Sequence, residues 1–280
     1  MKAQDERAPT PAGDALTPFE QALRERVPSR EALLAEARAQ SARQRRRKQT
    51  LGGGLSLLVL ATGLWFLDPA WYSEDIRVPV GSRDSRQLAD GSTLILDSAS
   101  HLRIEYRLRS RQFELLDGEA TFTVSHGPQP FIVRSQGVAV RDIGTVFNVR
   151  SDRRGVAVTV LDGEVEVSNQ SSRSRRVHAG QQLLANEQRL GAVGKVDPAR
   201  IIAWQQGKLR FDGTPLSEAI VDLQRYRQAP IRLADARVGQ LRLSGEFDSK
   251  AVEALLDGLP MILPVQLLRD GDGSVLIRGR

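Results

Sequence analysis

The sequence contains no cysteine. That excludes a structural disulfide, a thiolate zinc site and a cysteine nucleophile. It leaves the compartment open, because an oxidising environment permits disulfides without requiring them. Histidine is also scarce. His101, His126 and His178 show no metal-ligand spacing, and each falls at a predicted strand end or loop, where a solvated side chain is expected. There is no Gly-x-Ser-x-Gly elbow and no phosphate-binding loop. Carboxylates such as Asp117 and Glu119 flank a predicted turn, and turn chemistry accounts for them. Aromatic residues make up only 5% of the chain. These absences predict a protein that is not an enzyme in the ordinary sense, with neither cofactor nor metal.

What is present is an uneven charge and one apolar run. The chain has 280 residues, 40% hydrophobic and 26% charged, with a net charge of +6. This suits a folded protein with one large domain or two ordinary ones. The densest basic cluster is Arg43, Arg45, Arg46, Arg47 and Lys48. Nucleic-acid binding is one reading of such a cluster, but no aromatic side chain interleaves it for base stacking. Its position favours a topology signal, because residues 49–67 come next without a charge. At 1.5 Å per residue such a run spans a hydrocarbon core of ~30 Å, which needs about 20 residues. Gly52, Gly53 and Gly54 are tolerated in a membrane helix. Trp65, Trp71 and Tyr72 lie near the far end, where amphipathic rings favour the lipid–water interface. Asp68, Glu74 and Asp75 lie beyond the run, with no basic residue before Arg77. The positive-inside rule then puts residues 1–48 in the cytoplasm and the chain from about Asp68 outside. A cleaved signal peptide fits less well, because Ala61-Thr62-Gly63 is a poor cleavage site. Arg46-Arg47 matches a twin-arginine export signal only loosely.

The chain reads as five segments. Residues 1–48 form a polar tail, with a helix expected from an N-cap at Ser29, and are too small to hold a core alone. Residues 49–67 are the expected transmembrane helix. Residues 76–188 alternate apolar and polar side chains, as in Leu102–Tyr106, Ala120–Val124 and Val156–Val160. Asp90-Gly91, Asp117-Gly118, Asp162-Gly163 and Ala179-Gly180 are read as turns between them, and Ser168–Arg176 as a polar loop. The expected fold there is mainly β: an antiparallel jelly roll, sandwich or solenoid-like array. Residues 189–200, with Gly191, Gly194 and Asp197-Pro198, read as a linker. Residues 201–280 read as a small α+β domain using a strand–helix–strand unit twice. Its first helix is capped by Thr214 with Pro215 at the first position, and its second runs from Asp248 or Ser249 through Leu256.

Six strings within the β region carry a family resemblance: LADGS at 88–92, LDGEATF at 116–122, PFIV at 130–133, IGTVFNV at 143–149, VLDGEV at 160–165 and AGQ at 179–181. In order and spacing they resemble the FecR family of iron-dicitrate-type sensors. The stretch from Trp204 through Gly207–Phe211 to Pro215–Ile220 also resembles the segment C-terminal to this region in relatives. The last domain is similar to the short N-terminal domain of secretins and TonB-dependent receptors. The resemblance implies a single-pass inner-membrane signal transducer, an anti-sigma factor or sigma regulator of iron-carrier or haem uptake. Its implied partners are an extracytoplasmic-function sigma factor on the cytoplasmic side and the signalling domain of a TonB-dependent receptor on the periplasmic side. Relatives usually carry several tryptophans in the cytoplasmic part, whereas residues 1–48 contain none. The alternative is an envelope-assembly accessory that docks an outer-membrane channel through its secretin-like domain.

The resemblance also singles out Gly144-Thr145. Some family members cut themselves once at a Gly-Thr bond in this motif. The threonine hydroxyl would attack the preceding carbonyl, and the resulting ester would hydrolyse. From the residues alone, the pair reads as a bulge glycine before a β-branched strand residue.

Overall fold

The computed structural model describes residues 30–31, 33–36, 38–39, 58–171 and 174–280. The chain divides into two units, 1–67 and 68–280. In the first, the described residues between 30 and 39 are helical (α1), as are residues 58–67 (α2). No helix among the described residues is long and apolar enough to cross a membrane. The basic cluster Arg43–Lys48 and residues 49–57 of the expected span lie outside the described residues.

The second unit begins with a β sandwich. Its two layers share one long strand, β5 (Arg111–Thr123). The N-terminal half of β5 pairs with β4 (His101–Arg107) and β6 (Phe131–Ser135). That layer continues to β1 (Ala70–Arg77) on one side, and through β7 (Val138–Asp142) and β10 (Glu164–Asn169) to β11 (Ser174–His178) on the other. The C-terminal half of β5 pairs with β3 (Thr93–Leu96) and β8 (Val146–Asp152). The second layer runs from β2 (Asp84–Gln87) to β9 (Gly155–Asp162), β12 (Gln181–Ala185) and β13 (Leu190–Lys195). Alternation along the strands sends Leu102, Ile104, Val138, Val140, Val165 and Val167 inward from the first layer. Leu94, Phe122, Phe147, Val158 and Leu183 come from the second, and all join one core. Phe113 stacks on Phe131 at 4.2 Å between centroids, and Phe122 on Phe147 at 5.3 Å.

Asp117-Gly118 is not a turn. It is the bend inside β5 at which the strand passes from one layer to the other. Gly118 has φ +93°, and a Cβ there would lie 2.5 Å from the Ser100 Cα. Asp162-Gly163 is likewise a crossing between layers, since β9 and β10 pair with different neighbours. The 189–200 stretch is not a linker either. It holds β13 and a short helix, α3 (Pro198–Ile201), capped by the Asp197 side chain. Leu190 and Val193 pack on the sandwich core, and Gly191 lies so close to the Leu184 carbonyl that a Cβ would sit 2.7 Å from it. Both glycines read as linker residues thus belong to an edge strand, and at Gly191 the backbone approach is close. The polar stretch Ser168–Arg176 is mostly the ends of β10 and β11.

A 3-10 turn (Ala203–Gln206) leads into the C-terminal domain. There β14 (Lys208–Pro215) pairs with β16 (Arg242–Asp248). In a separate sheet, β18 (Val275–Gly279) lies between β15 (Ile231–Leu233), parallel to it, and β17 (Val265–Arg269), antiparallel to it. Helices α4 (Leu216–Gln224), α5 (Ala236–Gln240) and α6 (Val252–Ile262) fill a second core with Leu216, Leu223, Leu256 and Leu259. The domain is α+β, but no strand–helix–strand unit closes within one sheet. The expected caps also differ. Helix α4 starts one residue later, with Pro215 at its cap, and α6 starts after Ala251 and continues through Pro260 to Ile262.

Candidate functional site

Gly144 and Thr145 occupy the connection between β7 and β8. Three further residues converge on them, and the fold rather than the chain order supplies two of these. Asp142 ends β7; its Oδ2 accepts the Gly144 N–H at 2.9 Å, and its Oδ1 accepts a hydrogen bond from the Thr145 hydroxyl. Burial pushes the Asp142 carboxyl above its ordinary value, against backbone hydrogen bonds that lower it. Thr145 is buried, with its carbonyl accepting from Val124 N at 3.1 Å. Gly144 has φ +102°, a region that glycine enters without penalty and other residues do not. The His126 ring lies over it, with Nε2 2.8 Å from where a Cβ would be. Gly163 faces the Gly144–Thr145 peptide, and a Cβ there would sit 2.5 Å from the Gly144 carbonyl oxygen and 2.7 Å from Thr145 Cγ2.

This arrangement can activate the hydroxyl. A carboxylate accepting the Thr145 O–H can take its proton as the oxygen attacks the Gly144 carbonyl carbon. Without a Cβ on Gly163, its backbone can pack directly against the Gly144 carbonyl oxygen. Sequence reasoning named Gly144 and Thr145 but missed Asp142, although Asp-x-Gly is a recognisable signal: aspartate at this spacing closes a turn on the N–H two residues on. His126 and Gly163 could not be read locally, because each arrives from another connection. The other histidines have partners of their own, His101 with Asp75 at 2.8 Å and His178 with Glu164 at 3.2 Å. No metal-binding group of three or more residues occurs among the described residues.

A second polar constellation joins the sandwich to the C-terminal domain. Arg225, just past α4, forms ion pairs with Asp97 at 2.6 Å and with Glu119. Tyr226 donates to the same Asp97 oxygen at 2.6 Å, and the Ser98 hydroxyl donates to the Arg225 carbonyl at 2.5 Å. Glu119 accepts from Asn148, Asn148 accepts from Thr121, and Thr121 accepts from Gln205, at 2.8–2.9 Å. Arg150 pairs with Asp222 on α4, and Arg83 donates to the carbonyls of Trp204 and Gln205 at 2.6 and 2.7 Å. Burial raises the Asp97 carboxyl and the Tyr226 phenol above their ordinary values. A cleft of 370 Å³ opens beside this joint, lined by Arg150, Asp222 and Arg225 among others; neither Gly144 nor Thr145 lines it. Asn148 and Arg150 sit on β8, the strand that begins directly after Thr145. The joint and the Gly-Thr bond therefore share one strand.

The model of the family described as FecR protein matches residues 74–166, which include the Gly-Thr connection and most of the sandwich. No curated protein matches the chain. Two crystal structures of a candidate anti-sigma factor from Parabacteroides distasonis ATCC 8503 share the fold, each with a TM-score of 0.65 and 28% identity. They cover 75% and 74% of this chain, and 100% and 99% of their own. The likeness therefore extends well beyond the segment matched by the family model. The family model on the sandwich and the shared fold over three quarters of the length show that this chain carries a FecR-type domain at residues 74–166.

Proposed function

We propose that the chain is a single-pass inner-membrane signal transducer that controls an extracytoplasmic-function sigma factor. The observation that carries this reading is the FecR match over residues 74–166, together with its structural likeness to a candidate anti-sigma factor. Residues 49–67 would span the membrane, with Arg43–Lys48 holding residues 1–48 in the cytoplasm as the sigma-binding segment. The sandwich and the C-terminal domain would lie in the periplasm. There the C-terminal domain, as a relative of the short N-terminal domain of secretins and TonB-dependent receptors, would meet the signalling domain of a receptor for an iron carrier or haem. The test is affinity capture of the full chain from cells. Co-purification of one extracytoplasmic-function sigma factor, lost on deletion of residues 1–48, is expected. Capture of an outer-membrane channel without a sigma factor would favour the envelope-docking alternative.

Within this reading, the chain cuts itself once between Gly144 and Thr145. Thr145 Oγ1 bonds to the Gly144 carbonyl carbon while Asp142 accepts the hydroxyl proton. The C–N bond then breaks, the amine takes the proton, and one water hydrolyses the ester to a Gly144 carboxylate and an N-terminal Thr145. Intact-mass analysis of freshly synthesised protein should find these two fragments. Thr145→Ala should abolish them, and Asp142→Asn should slow their appearance by roughly 10²–10⁴-fold, the range for loss of a general base. Burial raises the Asp142 carboxyl, so the base form is lost as pH falls through a value higher than an ordinary aspartate's. The cleavage rate should drop on that limb, and Asp142→Asn should remove the limb. Identical fragments and rates in Thr145→Ala would sink the self-cleavage reading.

A further inference from the structure

The sandwich carries an apolar foot at the point where its chain begins. Asp68, the residue after the charge-free run, has φ +41°, a left-handed conformation that aspartate tolerates better than most residues. It is tied to the tip of the β4–β5 hairpin by three bonds. Asp68 Oδ1 accepts from Arg109 N at 2.7 Å, Oδ2 accepts from the Ser110 hydroxyl at 2.8 Å, and the Asp68 carbonyl accepts from Arg107 at 3.3 Å. β1 then runs antiparallel to β4, with Tyr72 opposite Tyr106. Trp71, Tyr72 and Tyr106 cluster with centroids 5.8–6.1 Å apart. Trp71 is 67% exposed and Tyr72 44%, and at the hairpin tip Leu108 is 49% exposed.

Exposed Trp, Tyr and Leu side chains grouped beside a rigid turn do not fit a purely aqueous face. Trp and Tyr favour the bilayer interface, where a ring can sit among acyl chains and headgroups while its polar end stays wet. Distance supports the same occupant. Trp71 is four residues beyond Leu67, so their Cα atoms can lie at most roughly 14 Å apart even in a fully extended chain. If Leu67 lies at the edge of the hydrocarbon, the ring stays within reach of the headgroup layer. The three bonds to Asp68 hold the hairpin tip at the same level. We infer that Trp71, Tyr72 and Leu108 form a membrane-docking foot that seats the sandwich on the lipid interface. This rests on the membrane-anchor reading above but goes beyond it, because an anchored domain need not touch the bilayer.

The absence of cysteine makes the test direct. Single cysteines placed at Leu108, Val59 and Met261 in the full chain are spin-labelled and reconstituted in phosphatidylethanolamine–phosphatidylglycerol vesicles. Collision with oxygen, which concentrates in lipid, is compared with collision with a water-soluble nickel complex. Met261, 89% exposed in the C-terminal domain, is the aqueous apolar reference. The expected result is loss of most nickel collisions at residue 108 relative to residue 261, with residue 59 fully shielded. A label at 108 as wet as that at 261, with 59 shielded, overturns the foot and leaves the anchor standing. If 59 is also wet, both readings fall. If 108 is shielded while 59 is wet, the anchor reading falls and takes with it the foot that rests on it.

Discussion

The sandwich and the C-terminal domain are held together internally by one kind of interaction and joined to each other by another. Each has its own apolar core, Phe113, Phe122, Phe131 and Phe147 in one, Leu216, Leu223, Leu256 and Leu259 in the other. Between them, the bonds that cross are largely polar: Arg225 with Asp97 and Glu119, Tyr226 with Asp97, Arg150 with Asp222, Arg83 with two carbonyls. Apolar burial is non-directional, so a core tolerates small shifts. A buried ion pair fixes one register and is costly to break, while contributing little net stability compared with well-packed apolar side chains. The difference teaches that the joint specifies an orientation more than it supplies cohesion. A relay of the kind proposed above would use that property, because a polar joint that fixes one register can be made or broken as a unit.

The largest effect that would break this comparison comes from removing the central cation. Arg225→Ala leaves Asp97 and Glu119 buried without a counter-charge and should cost about 3–5 kcal/mol. The loss should appear in urea titration as separate transitions for the two domains. The triple variant Asp97→Asn, Glu119→Gln, Arg225→Met should recover much of that stability without restoring the register. If Arg225→Ala unfolds in one transition at the wild-type midpoint, the polar joint is not what couples the domains. Next in size is the sandwich's own constraint. Gly118→Ala forces a Cβ against Ser100, whose hydroxyl is already bonded to both backbone groups of Glu119. Left-handed strain and overpacking together should cost roughly 2–4 kcal/mol, measured by thermal unfolding. The smallest effect sharpens the electrostatic side. Burial pushes Asp152 upward, but Arg154 and Arg150 outweigh it and hold its carboxyl below the ordinary value. A lowered carboxylate contributes stability above the unfolded value of about 4 that is lost as pH falls through its folded value. Asp152→Asn should therefore lower stability by up to about 1 kcal/mol near neutral pH and flatten the curve only below about pH 4.

Much of the sandwich was legible because its signal is local. Strict alternation in Leu102–Tyr106 and Val156–Val160 requires one buried and one wet face whatever the topology, and those strands formed where the pattern put them. Glycine was less legible, because it marks several different conformations. Gly91 sits in a turn between β2 and β3, Gly118 in a strand bend, Gly163 against the Gly144–Thr145 peptide, and Gly191 in an edge strand. Only the neighbour that would meet a Cβ tells these apart, and that neighbour is usually distant in sequence. The same holds for the candidate site. Gly144 and Thr145 were readable from a motif, and Asp142 was within reach of a turn rule. His126 and Gly163 were not, because they arrive from loops about twenty residues away on either side.

The sequence by itself determined the β class of the sandwich, the α+β class of the last domain and the absence of thiol chemistry. It also marked the charge-free run at 49–67 and the Gly-Thr pair. Each of these comes from composition, from a short period or from a contiguous motif, so nearby residues suffice. Only the tertiary structure decided that β5 serves both layers and that Asp142 takes the Thr145 hydroxyl bond. It alone brought Arg225 between Asp97 and Glu119, and tied Asp68 to the hairpin tip beside Trp71. The physical reason is range. Burial and strand period act along a few residues, whereas an ion pair or a close glycine contact exists only once chain folding has brought its two ends together.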